Sequence, residues 1–117
     1  MNIDIVRKHS LLKKGTSEDF PFDEDTLVFR VGKKMFALIS VSEPFSVNLK
    51  CDPELAVELR EKYDAVTPGF HMNKSHWNTV NFDGSIPDKE ILEMIDNSYN
   101  LVFASLPKKI RLEIGGE

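Results

Sequence analysis

The chain has 117 residues, a length that fits one domain and can bury a core without a metal or disulfide staple. With 41% hydrophobic and 29% charged residues it is not a disordered chain, and no apolar run approaches the ~20 residues that span a bilayer. The formal charge of −4 argues against a bulk electrostatic grip on nucleic acid, and Cys51, the only cysteine, excludes a disulfide framework, so a reducing, cytoplasmic home is expected.

Residues 1–14 mix Asp4, Arg7, Lys8 and His9 among apolar side chains and are not expected to be a signal peptide. Ile3, Val6, Leu11 and Leu12 have rough helical spacing, and Gly15 is placed to end that helix. The acid-rich run 16–25 resembles a calcium loop at a glance. It lacks the EF-hand spacing and terminal Glu, so the expectation is a solvated turn with no metal.

Two strand-like runs follow, Thr26–Val31 and 34–41, around Gly32-Lys33. A two-residue loop opening on Gly predicts a type II′ hairpin that pairs Val31 with Lys34, Phe29 with Phe36 and Leu27 with Leu38. Those pairs put Leu27, Phe29, Val31, Phe36 and Leu38 on one core face and Arg30 on the other. A third strand is predicted over 45–50.

Asp52-Pro53-Glu54 opens a helix, with a capping Asp, Pro in the first turn and an acid at the positive helix end. Leu55, Leu59 and Tyr63 give that helix, over 53–64, an apolar stripe. Runs 70–73 and 76–82 read as a second hairpin around Lys74-Ser75, and Asp83-Gly84 as a turn. Pro87-Asp88 opens the last helix, over 88–104, with Ile91, Ile95, Tyr99 and Val102 in helical register. Pro107 should stop it and leave 108–117 as a loosely ordered tail of one domain, 1–117. The order α-β-β-β-α-β-β-α implies an α+β, two-layer sandwich: an antiparallel sheet with its helices on one face and the other face open. Function is to be sought on the open face.

Several blocks carry a family resemblance. They are Glu18-Asp19-Phe20-Pro21-Phe22, Gly32-Lys33-Lys34-Met35-Phe36-Ala37, Leu49-Lys50-Cys51-Asp52-Pro53-Glu54 and, above all, Pro68-Gly69-Phe70-His71-Met72-Asn73-Lys74-Ser75-His76-Trp77-Asn78. With Asp83-Gly84-Ser85-Ile86-Pro87-Asp88 and Ile95-Asp96-Asn97-Ser98-Tyr99, the chain resembles the YjbR/MmcQ family along nearly its whole length. The resemblance implies a two-layer fold with an antiparallel sheet, similar to the frataxin-like CyaY proteins or to secretion chaperones. It also brings the label "DNA-binding" and no catalytic residues to carry over.

The charge distribution bears on that label. Residues 26–51 and 65–82 hold Arg30, Lys33, Lys34, Lys50 and Lys74 against Glu43 alone, while the surplus acids lie elsewhere. The acid-free stretch 65–82 also concentrates His71, Asn73, Lys74, His76, Trp77 and Asn78. A two-residue turn at Lys74-Ser75 would pair Asn73 with His76 and put His71, Asn73, His76 and Asn78 on one face, with Met72 and Trp77 on the other. A three-residue turn would bring Trp77 to the polar face instead. The set then reads either as a platform of cation, amides and stacking aromatic, or as a hairpin whose Trp anchors a core and whose amides shape the turn.

Cys51 with His71 or His76 could form a nucleophile–base pair, but a lone Cys beside a helix cap is usually a small buried residue. No metal site, cofactor or catalytic group is expected. The reading is a non-enzymatic, monomeric binding module without a membrane anchor. Its expected site is Arg30, Lys34, Lys50, His71, Asn73, Lys74, His76, Trp77 and Asn78, and its expected partner is nucleic acid, held weakly and salt-sensitively. The alternative is a scaffold that binds a protein or peptide.

Overall fold

The computed structural model describes residues 1–115. Helix α1 (Ile3–Leu11) leads into β1 (Thr16–Asp19), β2 (Thr26–Val31), β3 (Lys34–Ser40) and β4 (Ser46–Lys50). Then come α2 (Pro53–Lys62), β5 (Val66–Pro68), β6 (Trp77–Asn81), α3 (Asp88–Ala104) and α4 (Lys108–Ile114). The strands form one antiparallel sheet in the order β1-β2-β3-β4-β6-β5. The helices cover one face, as the alternation of apolar residues required, and Val6, Leu59, Ile95 and Ile110 from the four helices meet Phe29, Phe36, Ile39 and Val47 in one core. No helix among the described residues is long and apolar enough to cross a membrane.

The helix starts follow from their caps. The Asn2 side chain accepts from Ile5 N at 2.9 Å, and the Asp52 carboxylate accepts from Glu54 N and Leu55 N at 3.2 and 3.4 Å, with Pro53 in the first turn. Caps of this kind stabilise by about 1 kcal/mol.

Two elements are additional to the expected ones. Residues 16–19, expected within a solvated turn, form β1 against β2, pairing Thr16 with Val31 and Asp19 with Val28. Its acids are held by cations brought from afar, Glu18 by Arg7 at 2.8 Å and Asp19 by Arg30 at 3.4 Å. The expected tail carries α4, because Ile110 and Ile114 recur at i, i+4 and pack on the core; residues 116 and 117 lie outside the described residues.

The first hairpin also differs in detail. Gly32 and Lys33 both have positive φ, +53° and +72°, so the turn is type I′ and not type II′. A Cβ on Gly32 would stand 2.7 Å from Leu106 Cδ1, which gives the glycine a packing reason as well. The pairing Val31–Lys34 is as expected, but the register then slips between Phe29 and Arg30, so that Phe29 faces Ala37 and Leu27 faces Ile39. Phe36 is the residue left over. This bulge turns Phe36 and Ala37 both into the core and moves Leu38 to the open face beside Val28. The Phe36 carbonyl accepts from the buried Ser98 hydroxyl at 2.5 Å, which in turn accepts from Lys50 N at 2.8 Å.

The second hairpin is longer-looped than expected. Residues 70–73 are not a strand; β5 ends at Pro68 and the loop 69–76 leads to β6. Gly69 donates to the Trp77 carbonyl at 2.8 Å, and a Cβ there would lie 2.7 Å from Trp77 Cβ, an approach only glycine permits.

Candidate functional site

The open face of the sheet is a trough of about 900 Å³. Its floor is set by strand alternation: Ser46 and Asn48 point away from the core while Val47 and Leu49 enter it, and Thr79 and Asn81 do the same against Val80. Thr26, Leu38, Ser40 and Thr67 complete it. The loop 20–25 contributes Phe22 and Asp23 as one wall, and the loop 69–76 contributes Phe70, His71 and Met72 as another. The floor carries no charged side chain: hydroxyls and amides surround the apolar Leu38.

The loop 69–76 is fastened from both sides of the sheet. On the open side, Phe70 N donates to Thr79 Oγ1 at 3.0 Å, Thr79 Oγ1 donates to Asn48 Oδ1 at 2.5 Å, and Asn48 Nδ2 donates to the Phe70 carbonyl at 3.1 Å, a closed ring. From the helix side, Arg60 of α2 donates to Asn78 Oδ1 at 2.7 Å and to the carbonyls of Lys74 and Trp77. Within the loop, Lys74 Nζ donates to the Gly69 carbonyl at 2.8 Å and Asn73 Oδ1 accepts from Ser75 N. His71 sits at φ +59° with its ring 4.0 Å from that of Phe70, which is 67% exposed. A left-handed non-glycine residue costs on the order of 1 kcal/mol and persists only where its surroundings hold it. The outcome is an exposed aromatic pair on a clamped loop.

Charge divides between the two ends of the sheet. At the end with the β2–β3 turn and the loop 69–76 stand Arg30, Lys33, Lys34, Lys50 and Lys74 with His71 and His76, and Asp52 is the one acid of the adjoining loops. The loops at the other end hold Asp23, Glu24, Asp25, Glu43, Asp64 and Asp83 and no Lys or Arg. About five residues of strand at ~3.3 Å each separate the ends by ~17 Å, twice the ~8 Å screening length at physiological salt, so neither end cancels the field of the other.

A family model described as YjbR matches residues 11–101. The chain is 35% identical over 112 residues to the uncharacterized protein YjbR of Escherichia coli strain K12, covering 95% of each. The chain belongs to the YjbR family. It is also 32% identical over 111 residues to the protein YyaQ of Bacillus subtilis strain 168, covering 82% of this chain and 93% of that one. The solved structure of the Deinococcus radiodurans protein DR2400 superposes with a TM-score of 0.93 at 37% identity, covering 99% of this chain and 89% of that one. These similarities fix family and fold and carry no activity with them.

In this YjbR-family chain the expected site residues divide. Arg30, Lys50, His71, Lys74 and His76 gather at the basic end. Lys34 does not join the open face, since its Nζ reaches back to Ser105 at the end of α3 at 3.3 Å. Asn78 is 2% exposed on the helix side, donating to the Ala56 carbonyl at 3.2 Å, so the expected face of His71, Asn73, His76 and Asn78 does not form. A longer loop places those residues independently of β6 parity. Trp77 is buried, but against Val28, Leu38, Met35 and Met72 under the open face, where it makes a satellite cluster apart from the main core.

The Cys51 thiol is pushed up in pKa by burial, and by the neighbouring Asp52 carboxylate, which keeps it protonated; only its backbone N–H meets His76, at the carbonyl. Sequence reasoning missed Asn48, Phe70, Thr79 and Arg60. The first and third were readable as polar positions alternating with Val47, Leu49 and Val80; the other two depend on a loop whose path has no periodic signal.

Proposed function

We propose that this protein is a non-enzymatic binding module that holds single-stranded nucleic acid at the basic end of its open sheet face. The observation that carries the reading is the exposed Phe70–His71 pair, clamped beside a neutral amide-lined trough at the end where Lys33, Lys50 and Lys74 stand. None of these three lysines forms an ion pair among the described residues. Bases stack on aromatic faces irrespective of sequence, and amides and hydroxyls accept or donate to base edges. Phosphates stay with the cations. A duplex fits poorly, because a rigid double helix laid on this face would press its phosphates against the acidic end.

With about three phosphates neutralised, log K against log salt should have a slope near −2 for a single strand, roughly a twentyfold loss between 50 and 200 mM salt. Fluorescence anisotropy with labelled single- and double-stranded oligonucleotides tests this. The joint replacement Lys50→Ala, Lys74→Ala should flatten the slope by about 1.4 without unfolding the chain, since neither lysine forms an ion pair among the described residues and the one hydrogen bond lost, from Lys74 Nζ to the Gly69 carbonyl, is worth about 1 kcal/mol. Absence of binding to either form at tens of micromolar protein would overturn the reading. A polypeptide segment is the second reading, favoured by a trough whose lining carries Asp23 and His71 as its only titratable groups; it would bind with little dependence on salt.

A further inference from the structure

We propose that the site takes the end of a single strand and not its interior. This rests on the nucleic-acid reading above and adds a polarity to it. The trough runs along the strands from His71 and Met35 at the basic end to Asp23 and Pro44 at the acidic end. Its length of ~17 Å holds about five nucleotides at the 3.4 Å B-form rise and only about three of a strand stretched to nearly twice that.

A strand that crossed the whole face would therefore deliver a phosphate to the acidic end, where Asp23 lines the trough, Glu43 and Asp83 line the adjoining depression beyond Pro44 and Asn81, and Glu24 follows Asp23 in its loop. These four carboxylates have no basic residue beside them in the loops that carry them. Like charges closer than the ~8 Å screening length repel with little attenuation, so crossing is disfavoured. A strand that terminates inside the trough avoids this. Its phosphates remain at the basic end, its terminal base lies over the neutral floor towards Phe22, which is 62% exposed, and its terminal hydroxyl can donate to Asp23. The acidic loops thus act as a stop.

The test is competition against a labelled linear oligonucleotide, with unlabelled single strands of one sequence in four forms: linear with free hydroxyls, 5′-phosphorylated, 3′-phosphorylated, and covalently closed into a circle. The circle should compete at least ~10-fold more weakly than the linear form, the equivalent of one clear like-charge contact. One of the two terminal phosphates should weaken binding comparably and the other should not, which identifies the seated end. The paired substitution Glu24→Gln, Glu43→Gln, which spares Asp23, should raise the circle's affinity several-fold and leave the linear form nearly unchanged. A circle that competes as well as the linear strand would overturn strand-end selection while leaving nucleic-acid binding intact. Failure of every form to bind would overturn both.

Discussion

Arg60→Ala removes the side chain that ties α2 to β6 and to the loop 69–76. The guanidinium donates to Asn78 Oδ1 at 2.7 Å and to two carbonyls, those of Lys74 and Trp77. Asn78 is 2% exposed, so its freed oxygen would not be rescued by solvent, and an orphaned buried acceptor costs about 1–3 kcal/mol. The two carbonyls lie nearer the surface and recover water, adding less. The total is about 3 kcal/mol, which for a chain of this size lowers Tm by roughly 10 °C.

Urea unfolding followed by Trp77, the only tryptophan, measures the change beside the site itself. Asn78→Leu supplies the control, because replacing both partners of a buried hydrogen bond costs less than orphaning one. The double variant should therefore be less destabilised than the two singles summed, by about 1 kcal/mol or more. Amide hydrogen exchange of the loop 69–76 should quicken in Arg60→Ala by opening of the loop itself, whereas core amides should quicken only as far as the global loss of stability requires. A cost below ~0.5 kcal/mol with unchanged loop exchange would refute the claim that Arg60 clamps the loop.

Trp77→Ala should cost about 3 kcal/mol, the low end for a buried aromatic, because its satellite cluster lies near the surface; a variant that kept its Tm and lost oligonucleotide binding would make Trp77 a recognition residue instead. Asp96 should mark the acid limit of stability. Its partial burial raises the carboxyl's pKa, but hydrogen bonds from Lys13 at 2.5 Å and His9 at 2.6 Å outweigh that and hold it below its ordinary value. Its contribution is accordingly full above about pH 4 and is lost as pH falls through the lowered value. Urea midpoints measured from pH 6 down to pH 2 should fall less steeply for Asp96→Asn than for the parent, and equal slopes would count against the linkage.

Much of the fold was legible because the relevant forces are local or periodic. Asp52-Pro53 marks a helix start whatever surrounds it, and Ile91, Ile95 and Val102 share a face by spacing alone. The alternation of Val47 and Leu49 with Asn48 carries the same kind of signal for β4, but only the structure assigned its faces. The segregation of cations from acids was also visible, but as segments of sequence; that it divides the two ends of the sheet depends on which loops antiparallel pairing brings together. Strand β1 escaped detection because its acids look solvated until Arg7 and Arg30 arrive from other elements. The slip at Phe36 escaped because a bulge is chosen by core volume and by the Ser98 hydroxyl, distant in sequence, that satisfies the Phe36 carbonyl. The loop 69–76 was beyond sequence reasoning for the same reason. Its path is decided by Arg60 on one side of the sheet and the Asn48–Thr79 pair on the other, and periodicity cannot report contacts between residues so far apart in the chain.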